Sequence, residues 1–257
     1  MTSRVIVASD GSDRGYEVSS MSYTLIRADR DAEIGIDARL TEAGTFDRQR
    51  ALITLLSGEA TFYTDLADLC VSDYAFYAPE FNYGAHVAYA RDSFADPTLT
   101  WGEALAAFQY YYGVGHMHAL CLDDGPASLD RAFDEHADST ATVLVGPHNE
   151  RSGALSDVDA PLPEPPAEFH YLAPESLGPV MYLIHLARTG SSIVNPAYEQ
   201  SLARDWVGDR FLVAGDRDGE RTAAVWQIAG LDGSGAETVL VASDPDTEAL
   251  LAMTFGA

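Results

Sequence analysis

Residues 47–70 constrain the fold of this chain more than any other stretch. Glu59 lies among apolar residues that recur every three or four positions, which is the spacing of a helix with one buried face. A carboxylate on such a face costs several kcal/mol unless it is paired or coordinated. The sequence therefore predicts a central helix whose acid either has an Arg or Tyr partner or belongs to a metal site. The apolar residues are Leu52, Leu55, Leu56, Phe62, Tyr63, Leu66, Leu69 and Cys70.

The net charge of the chain indicates the salt concentration of its environment and gives little information about a binding partner. Forty Asp and Glu residues stand against fifteen cationic residues, all of them Arg, and the formal charge is −25. Such a surface repels itself in dilute buffer, but in molar salt the screening length falls to about 3 Å. We therefore expect a halophilic protein. Nucleic-acid binding is disfavoured, because the sequence has no basic stripe to displace counterions.

The sequence gives no sign of a membrane or a disulfide. The chain as given has no signal peptide and no run of eighteen apolar residues, so we expect a soluble protein of a high-salt environment without a membrane span. It would be cytoplasmic, or exported if a leader has been removed. Cys70 and Cys121 lie in apolar helical patterns, which favours two buried free thiols.

Helical patterns fill the middle of the chain and β patterns fill its end, which predicts an α+β fold. Residues 101–122 fit either two helices or one kinked helix, because Gly113 and Gly115 interrupt them. Further helices are predicted at residues 83–93, 126–135, 177–188, 195–205 and 244–254. An antiparallel meander is predicted from the β-rich runs at residues 210–214, 222–228 and 238–242.

The ends and connections of these elements complete a single predicted domain of residues 1–257. Residues 1–45 form an irregular segment: a strand is predicted at 4–8, and 18–40 fits either a helix or two strands in which Ile34 and Ile36 alternate. The helical part covers residues 46–205 and the meander with its final helix covers 206–257. Two connections are also expected, a packed aromatic one at 74–83 and a polar, proline-rich surface loop at 150–166.

Several short motifs follow one another in an order that resembles a known family. Asp47 begins D-R-Q-R-A, and L-L-S-G-E-A-T follows at residues 55–61. The later motifs are Y-G-V-G-H-M-H-A-L-C-L-D-D-G-P-A-S-L-D-R-A-F at 112–133, F-D-E-H-A-D-S-T-A-T-V-L-V-G-P at 133–147, S-L-G at 176–178, A-R-D-W-V-G-D-R at 203–210, and Trp226. Together they resemble a family of zinc-metallopeptidase-like secreted or surface proteins of halophiles and actinobacteria, whose active members carry a helical H-E-x-x-H. The resemblance implies a mainly helical, metallopeptidase-like domain with a terminal sheet.

The same resemblance implies that the zinc chemistry has been lost. If residues 23–31 occupy the place of the family's H-E-L-V-H-A-L-Q-D, Tyr23 and Arg27 replace the two histidines and Thr24 replaces the general-base glutamate. Ser57 replaces the first acid of the family's E-G-E/D-A motif, which leaves Glu59. A guanidinium repels a metal cation, so no catalytic residue is assigned and these five residues are interpreted as a vestigial site. Arg27 is predicted to neutralise Glu59.

A different set of ligands gives the alternative function. His116 and His118 could chelate zinc together with Glu59 in a metal-dependent hydrolase with non-standard ligands. On a helix, residues two apart point about 200° away from each other, so core or capping histidines are the favoured interpretation. Two functions of different classes follow. One is a catalytically inactive binding or structural protein with a protein partner or copies of itself and no cofactor, and the other is a zinc hydrolase.

Overall fold

A computed structural model describes residues 14–71, 83–147, 162–172, 174–190, 195–229 and 237–255, with the backbone alone at 14–18 and 68–71. These residues form ten helices and four strands. The helices are α1 (Arg14–Ile34), α2 (Ile36–Ala43), α3 (Phe46–Val71), α4 (Tyr83–Ala95), α5 (Trp101–Asp124), α6 (Ala127–Glu135), α7 (Thr140–Val145), α8 (Gly178–Arg188), α9 (Pro196–Asp205) and α10 (Pro245–Phe255). The strands are β1 (Phe169–Tyr171), β2 (Asp209–Asp216), β3 (Thr222–Ile228) and β4 (Glu237–Ala242). The predicted α+β class is confirmed.

Helix α3 is central, as the sequence predicts. It packs against α1 and α5 and contributes Leu55 and Leu56 to the largest core cluster. Its close contact with α5 depends on two glycines, because a Cβ on Gly58 would lie 2.2 Å from the carbonyl carbon of Gly113, and a Cβ on Gly113 would lie 2.3 Å from the carbonyl oxygen of Thr54. The two helix backbones therefore touch where side chains would otherwise separate them.

Helix α5 is a single continuous helix rather than two. It begins with a capping box, in which Thr100 accepts from the backbone N–H of Glu103 and the Glu103 side chain accepts from the backbone N–H of Thr100. The glycines inside it serve helix packing: Gly113 lies at the crossing with α3, and Gly115 faces the side chains of Tyr83 and Val87. Gly113 and Gly115 thus allow neighbouring helices to pack closely against α5 and do not break it.

The sheet has the order β1-β2-β3-β4, and every neighbouring pair is antiparallel. Its register pairs Phe211 with Trp226 and Trp226 with Val239. Trp226 faces the helical core beside Tyr182 of α8, while Leu251 of α10 packs in a second cluster on the opposite face with Ala214 and Ala223. The predicted three-strand meander is present, and the short strand β1 extends it.

The N-terminal segment differs most from the prediction. Residues 18–40 are helical in α1 and α2, separated at Gly35, whose φ of 65° lies in the left-handed region that glycine adopts easily. The two-strand alternative with Ile34 and Ile36 is therefore wrong. The predicted strand at 4–8, the connection at 74–82 and most of the 150–166 loop lie outside the described residues.

Two smaller expectations have mixed outcomes. Leu66 of the predicted buried face is 37% exposed, and the side chains of Leu69 and Cys70 lie outside the description. Cys121 is a half-buried free thiol. No helix in the described part of the chain has the length and apolarity that crossing a membrane requires.

Candidate functional site

Glu59 has an arginine partner, and that partner is Arg30. The acid is 1% exposed in the middle of α3. Arg30 of α1 donates Nε–H to Glu59 Oε2 at 2.7 Å and Nη2–H to Glu59 Oε1. This is the two-pronged contact in which a planar guanidinium matches a carboxylate. The prediction that an Arg or Tyr satisfies the buried acid is therefore confirmed.

Arg30 also contacts a third helix. Its Nη2 donates to Asp130 Oδ1 of α6 at 2.8 Å, and its Nη1 donates to Glu33 Oε2 at 2.8 Å. The guanidinium carbon lies 5.4 Å from the ring centre of Phe133, also on α6. One arginine thus links α1, α3 and α6. We call Arg30, Glu59, Asp130 and Glu33 the arginine lock.

The arginine lock borders a cavity of about 300 Å³ lined by Ile26, Asp29, Arg30, Glu33, Glu59 and Tyr63. Burial raises the pKa of Glu59, while Arg30 opposes the rise. The hydrogen bond to Glu59 raises the pKa of Arg30, so the guanidinium stays charged. Burial beside Glu59 also raises the pKa of Tyr63. The cavity therefore carries paired charges on its walls.

The predicted pairing of Arg27 with Glu59 is wrong. Arg27 instead donates Nη1–H to the Tyr23 hydroxyl at 3.3 Å, one turn back on α1. The error lies in the choice of helix face: Arg30 lies four residues from both Ile26 and Ile34 and therefore shares their face. Arg27 directly follows Ile26 and therefore lies about 100° from it around the helix axis. An arginine on the apolar stripe of α1 was the signal for the true partner.

The other vestigial positions do not gather around Glu59. Thr24 is exposed and donates its hydroxyl to the Ser20 carbonyl at 2.7 Å. The ring of Tyr23 lies 5.7 Å from that of Tyr110 on α5. Ser57 is buried on α3, and its carbonyl accepts from Thr61. Of the five predicted site residues, Glu59 alone belongs to the arginine lock.

The alternative ligands also face different neighbours. The His118 ring lies 4.8 Å from Tyr83 and 6.0 Å from Phe62, and burial lowers its pKa. His116 is buried, with its ring 5.0 Å from that of His136. Among the described residues no group of three or more His, Cys, Asp or Glu side chains could hold a metal ion. The set of Glu59, His116 and His118 is therefore not brought together.

The residues present do not fit a zinc ion. Zinc requires deprotonated nitrogen, sulfur or oxygen donors with free lone pairs. Each oxygen of Glu59 accepts a hydrogen bond from a permanently protonated guanidinium, and this positive charge beside the carboxylate repels a metal cation. Tyr23, Thr24 and Arg27 provide no replacement ligand near the acid. The described residues around Glu59 therefore do not fit the zinc site that the family resemblance implies.

A second cluster, around Asp47, was not predicted as a site. Asp47 lies in the first turn of α3 and is 4% exposed. Its Oδ2 accepts from the Ser139 hydroxyl at 2.6 Å, and its Oδ1 accepts from the Thr140 hydroxyl at 2.5 Å and the Thr140 backbone N–H at 3.0 Å. Asp47 thereby holds the start of α7. A Cβ on Gly178, whose φ is 78°, would lie 1.9 Å from Asp47 Oδ1.

Asp209 completes this cluster from the sheet side. Its Oδ1 accepts from the Ser176 hydroxyl at 2.7 Å and the Gly178 N–H at 3.1 Å. Its Oδ2 accepts from the Leu177 N–H at 2.8 Å and from Trp226 Nε1 at 2.7 Å. Asp209 therefore fixes the start of α8 against the sheet. We call Asp47, Asp209 and their donors the aspartate clamp.

Protein hydrogen bonds hold both carboxylates of the aspartate clamp. It borders a polar cavity of about 300 Å³ that Arg48 and Asp138 also line. All four carboxylate oxygens of Asp47 and Asp209 nevertheless accept from protein donors. The clamp thus joins helices to sheet.

Four of the motifs behind the family resemblance, together with Trp226, meet at this clamp. Asp47 begins the D-R-Q-R-A motif, and Ser139 and Thr140 belong to the motif at 133–147. Gly178 ends the S-L-G motif, and Asp209 lies in the A-R-D-W-V-G-D-R motif. Their spacing along the chain gives no hint of contact, because long-range hydrogen bonds leave no periodic pattern. The hydrogen bonds of these motifs position α7, α8 and the sheet around α3.

Lowering the pH from 7 to 5 should stabilise the wild-type protein by about 1 kcal/mol more than the Asp47→Asn variant. Burial raises the pKa of Asp47 to about 6, and Asp209 nearby adds to the rise. Because this folded-state pKa lies above the ordinary value of 3.8, the folded protein binds a proton before the unfolded chain does. The stabilisation therefore develops as the pH falls through 6 and is complete below about 4.

Urea unfolding in molar salt at both pH values measures this difference. Asp92→Asn changes the net charge equally at an exposed position of α4 and serves as the control. We expect the control to follow the wild type. An identical pH response in all three proteins would show that Asp47 does not titrate in this range.

A fourth buried acid lies near α4. Glu199 of α9 is 2% exposed, accepts from Arg91 Nε at 2.6 Å and accepts from the Tyr112 hydroxyl at 2.8 Å. The three residues line part of a cavity of about 410 Å³ together with His116. Each buried acid described here therefore has its oxygens engaged by protein donors.

Comparison with known proteins finds no match for this chain among family models, curated proteins or solved structures.

Proposed function

We propose that this chain is a catalytically inactive protein that acts in binding or structural assembly in a high-salt environment. The observation that carries the proposal is the bidentate contact of Arg30 with Glu59. In the family that the sequence resembles, an acid at this place would serve a metal. Here a guanidinium supplies the positive charge instead, without an exchangeable coordination position or an activated water.

The rest of the chain is consistent with a scaffold. The other buried carboxylates, Asp47, Asp209 and Glu199, are committed to hydrogen bonds that position helices. The net charge of −25 suits a protein that remains soluble in molar salt. It also disfavours nucleic acid as a partner, so we propose a protein partner or a second copy of this chain.

Zinc content and hydrolysis together test the proposal. Protein purified in molar salt is expected to contain far less than one zinc per chain and to leave an unfolded protein substrate intact, with or without added zinc. Stoichiometric zinc combined with hydrolysis that a chelator abolishes would overturn the proposal and favour a metal-dependent hydrolase.

A further inference from the structure

Strand β4 is an open edge of the sheet. It pairs with β3 on one side, and among the described residues no strand pairs with its other side. The hydrogen bond from the Ser243 N–H to the Thr222 carbonyl, 2.8 Å long, fixes which groups point toward β3. By the alternation of an antiparallel ladder, the N–H and C=O groups of Thr238, Leu240 and Ala242 point outward.

This edge lacks the usual protection against pairing. Sheet edges are normally shielded by charged side chains, proline, bulges or brevity. Strand β1 at the opposite edge has only three residues, and this shortness protects it against pairing. Residues 238–242 of β4 are Thr-Val-Leu-Val-Ala, without a charge or a proline, in a chain with a net charge of −25.

An apolar groove runs beside the same edge. Its cavity of about 250 Å³ lies between α8, the start of α5 and the helix-facing side of the sheet. Val241 is 62% exposed and Trp101 is 41% exposed, although both are large and apolar. The lining residues are Trp101, Leu177, Met181, His185, Phe211, Ala224, Trp226, Val239 and Val241.

We infer that β4 docks the β4 strand of a second copy of this chain. The sequence Val239-Leu240-Val241 is symmetric about Leu240, so an antiparallel pair with its two-fold axis there places Val239 opposite Val241 in both copies. The outward groups of Thr238, Leu240 and Ala242 then form six hydrogen bonds, two in each hydrogen-bonded pair. The two sheets become one sheet of eight strands, twice the four of each copy.

Charge favours a second copy at this place in particular. In molar salt the screening length is about 3 Å, so two chains that each carry −25 repel each other mainly where their carboxylates come into contact. In the register about Leu240, Glu237 lies opposite Ser243, so no acid of the strand faces an acid. The valines of both copies lie side by side, and each groove continues into the other. This inference names the partner for the proposed assembly role and rests on that role.

The test measures molar mass by light scattering at micromolar concentration in molar salt. Wild-type protein is expected to be a dimer. Val241→Asp places a carboxylate from each copy in the joined grooves and is expected to weaken the dimer at least about 100-fold. Thr238→Pro removes an outward N–H without removing a hydrogen bond to β3 and should also give monomer, because an edge strand tolerates proline.

Leu122→Asp is the matched control. Leu122 is 69% exposed near the end of α5, away from the sheet, and its substitution adds the same charge. We expect this variant to remain dimeric, and circular dichroism should show all three variants folded. A monomeric wild-type protein would overturn the inference, because β4 would then not pair with a second copy of this chain. A dimer that survives Val241→Asp or Thr238→Pro would overturn the strand pairing. Neither result bears on the zinc measurement, which tests the inactive role separately.

Discussion

Replacing Gly113 with alanine is expected to destabilise the protein by at least about 3 kcal/mol, the upper range for overpacking a well-filled core. The new Cβ would lie 2.3 Å from the Thr54 carbonyl oxygen and 3.1 Å from Gly58 Cα. These atoms are backbone, so no side chain can rotate away and α3 must move from α5. Gly58→Ala should have a similar effect, since its Cβ meets Gly113 backbone atoms at 2.2 and 2.3 Å.

Gly115→Ala on the same helix is the matched control. Its Cβ would meet Tyr83 Cβ at 3.9 Å and Val87 Cγ2 at 4.0 Å, which is ordinary contact. Alanine also favours a helix interior by about 0.5 to 1 kcal/mol over glycine, so this variant should be neutral or more stable. Urea unfolding in molar salt measures all three variants. Equal stability of Gly113→Ala and Gly115→Ala would contradict the backbone contact between α3 and α5.

Replacing Arg30 with methionine is expected to destabilise the protein by about 3 kcal/mol, because removing one partner leaves the other charge buried. Glu59 is 1% exposed and would lose both donors of its carboxylate. It should then protonate. Because its folded-state pKa would lie above the ordinary value, the variant should regain stability as the pH falls from 8 to 5.

Two further variants isolate the role of Arg30. Arg27→Met makes the same chemical change one turn earlier and should alter the free energy of unfolding by less than about 0.5 kcal/mol. The double variant Arg30→Met with Glu59→Met replaces the pair by apolar side chains and should recover most of the lost stability. If Arg27→Met were as damaging as Arg30→Met, the assignment of the lock to Arg30 would be wrong.

The sequence predicted α3 and the need of Glu59 for a partner, because both follow from helical periodicity. It did not predict the partner correctly. The family motif predicts Arg27 as the partner, whereas the positions of Ile26 and Ile34 on the apolar face of α1 indicate Arg30. The sequence also does not predict the continuity of α5, because composition does not distinguish a glycine that permits a helix crossing from one that breaks a helix.

The aspartate clamp shows a different limit of sequence reasoning. Asp47 and Asp209 occur in motifs that were recognised, yet their contacts join positions far apart in the chain. Such hydrogen bonds follow from tertiary packing and have no local signature. The meander was easier to predict, because alternating apolar residues and turn residues encode it locally. Strand β1 is only three residues long, too short for a period to appear.

Zinc titration of the folded protein in molar salt tests the arginine lock most directly. The wild-type protein and Glu59→Gln should show the same calorimetric response, without a one-to-one binding step, because Arg30 occupies both oxygens of Glu59. A binding step of one zinc per wild-type chain that disappears in Glu59→Gln would contradict the account. It would show that the acid exchanges its guanidinium for a metal ion.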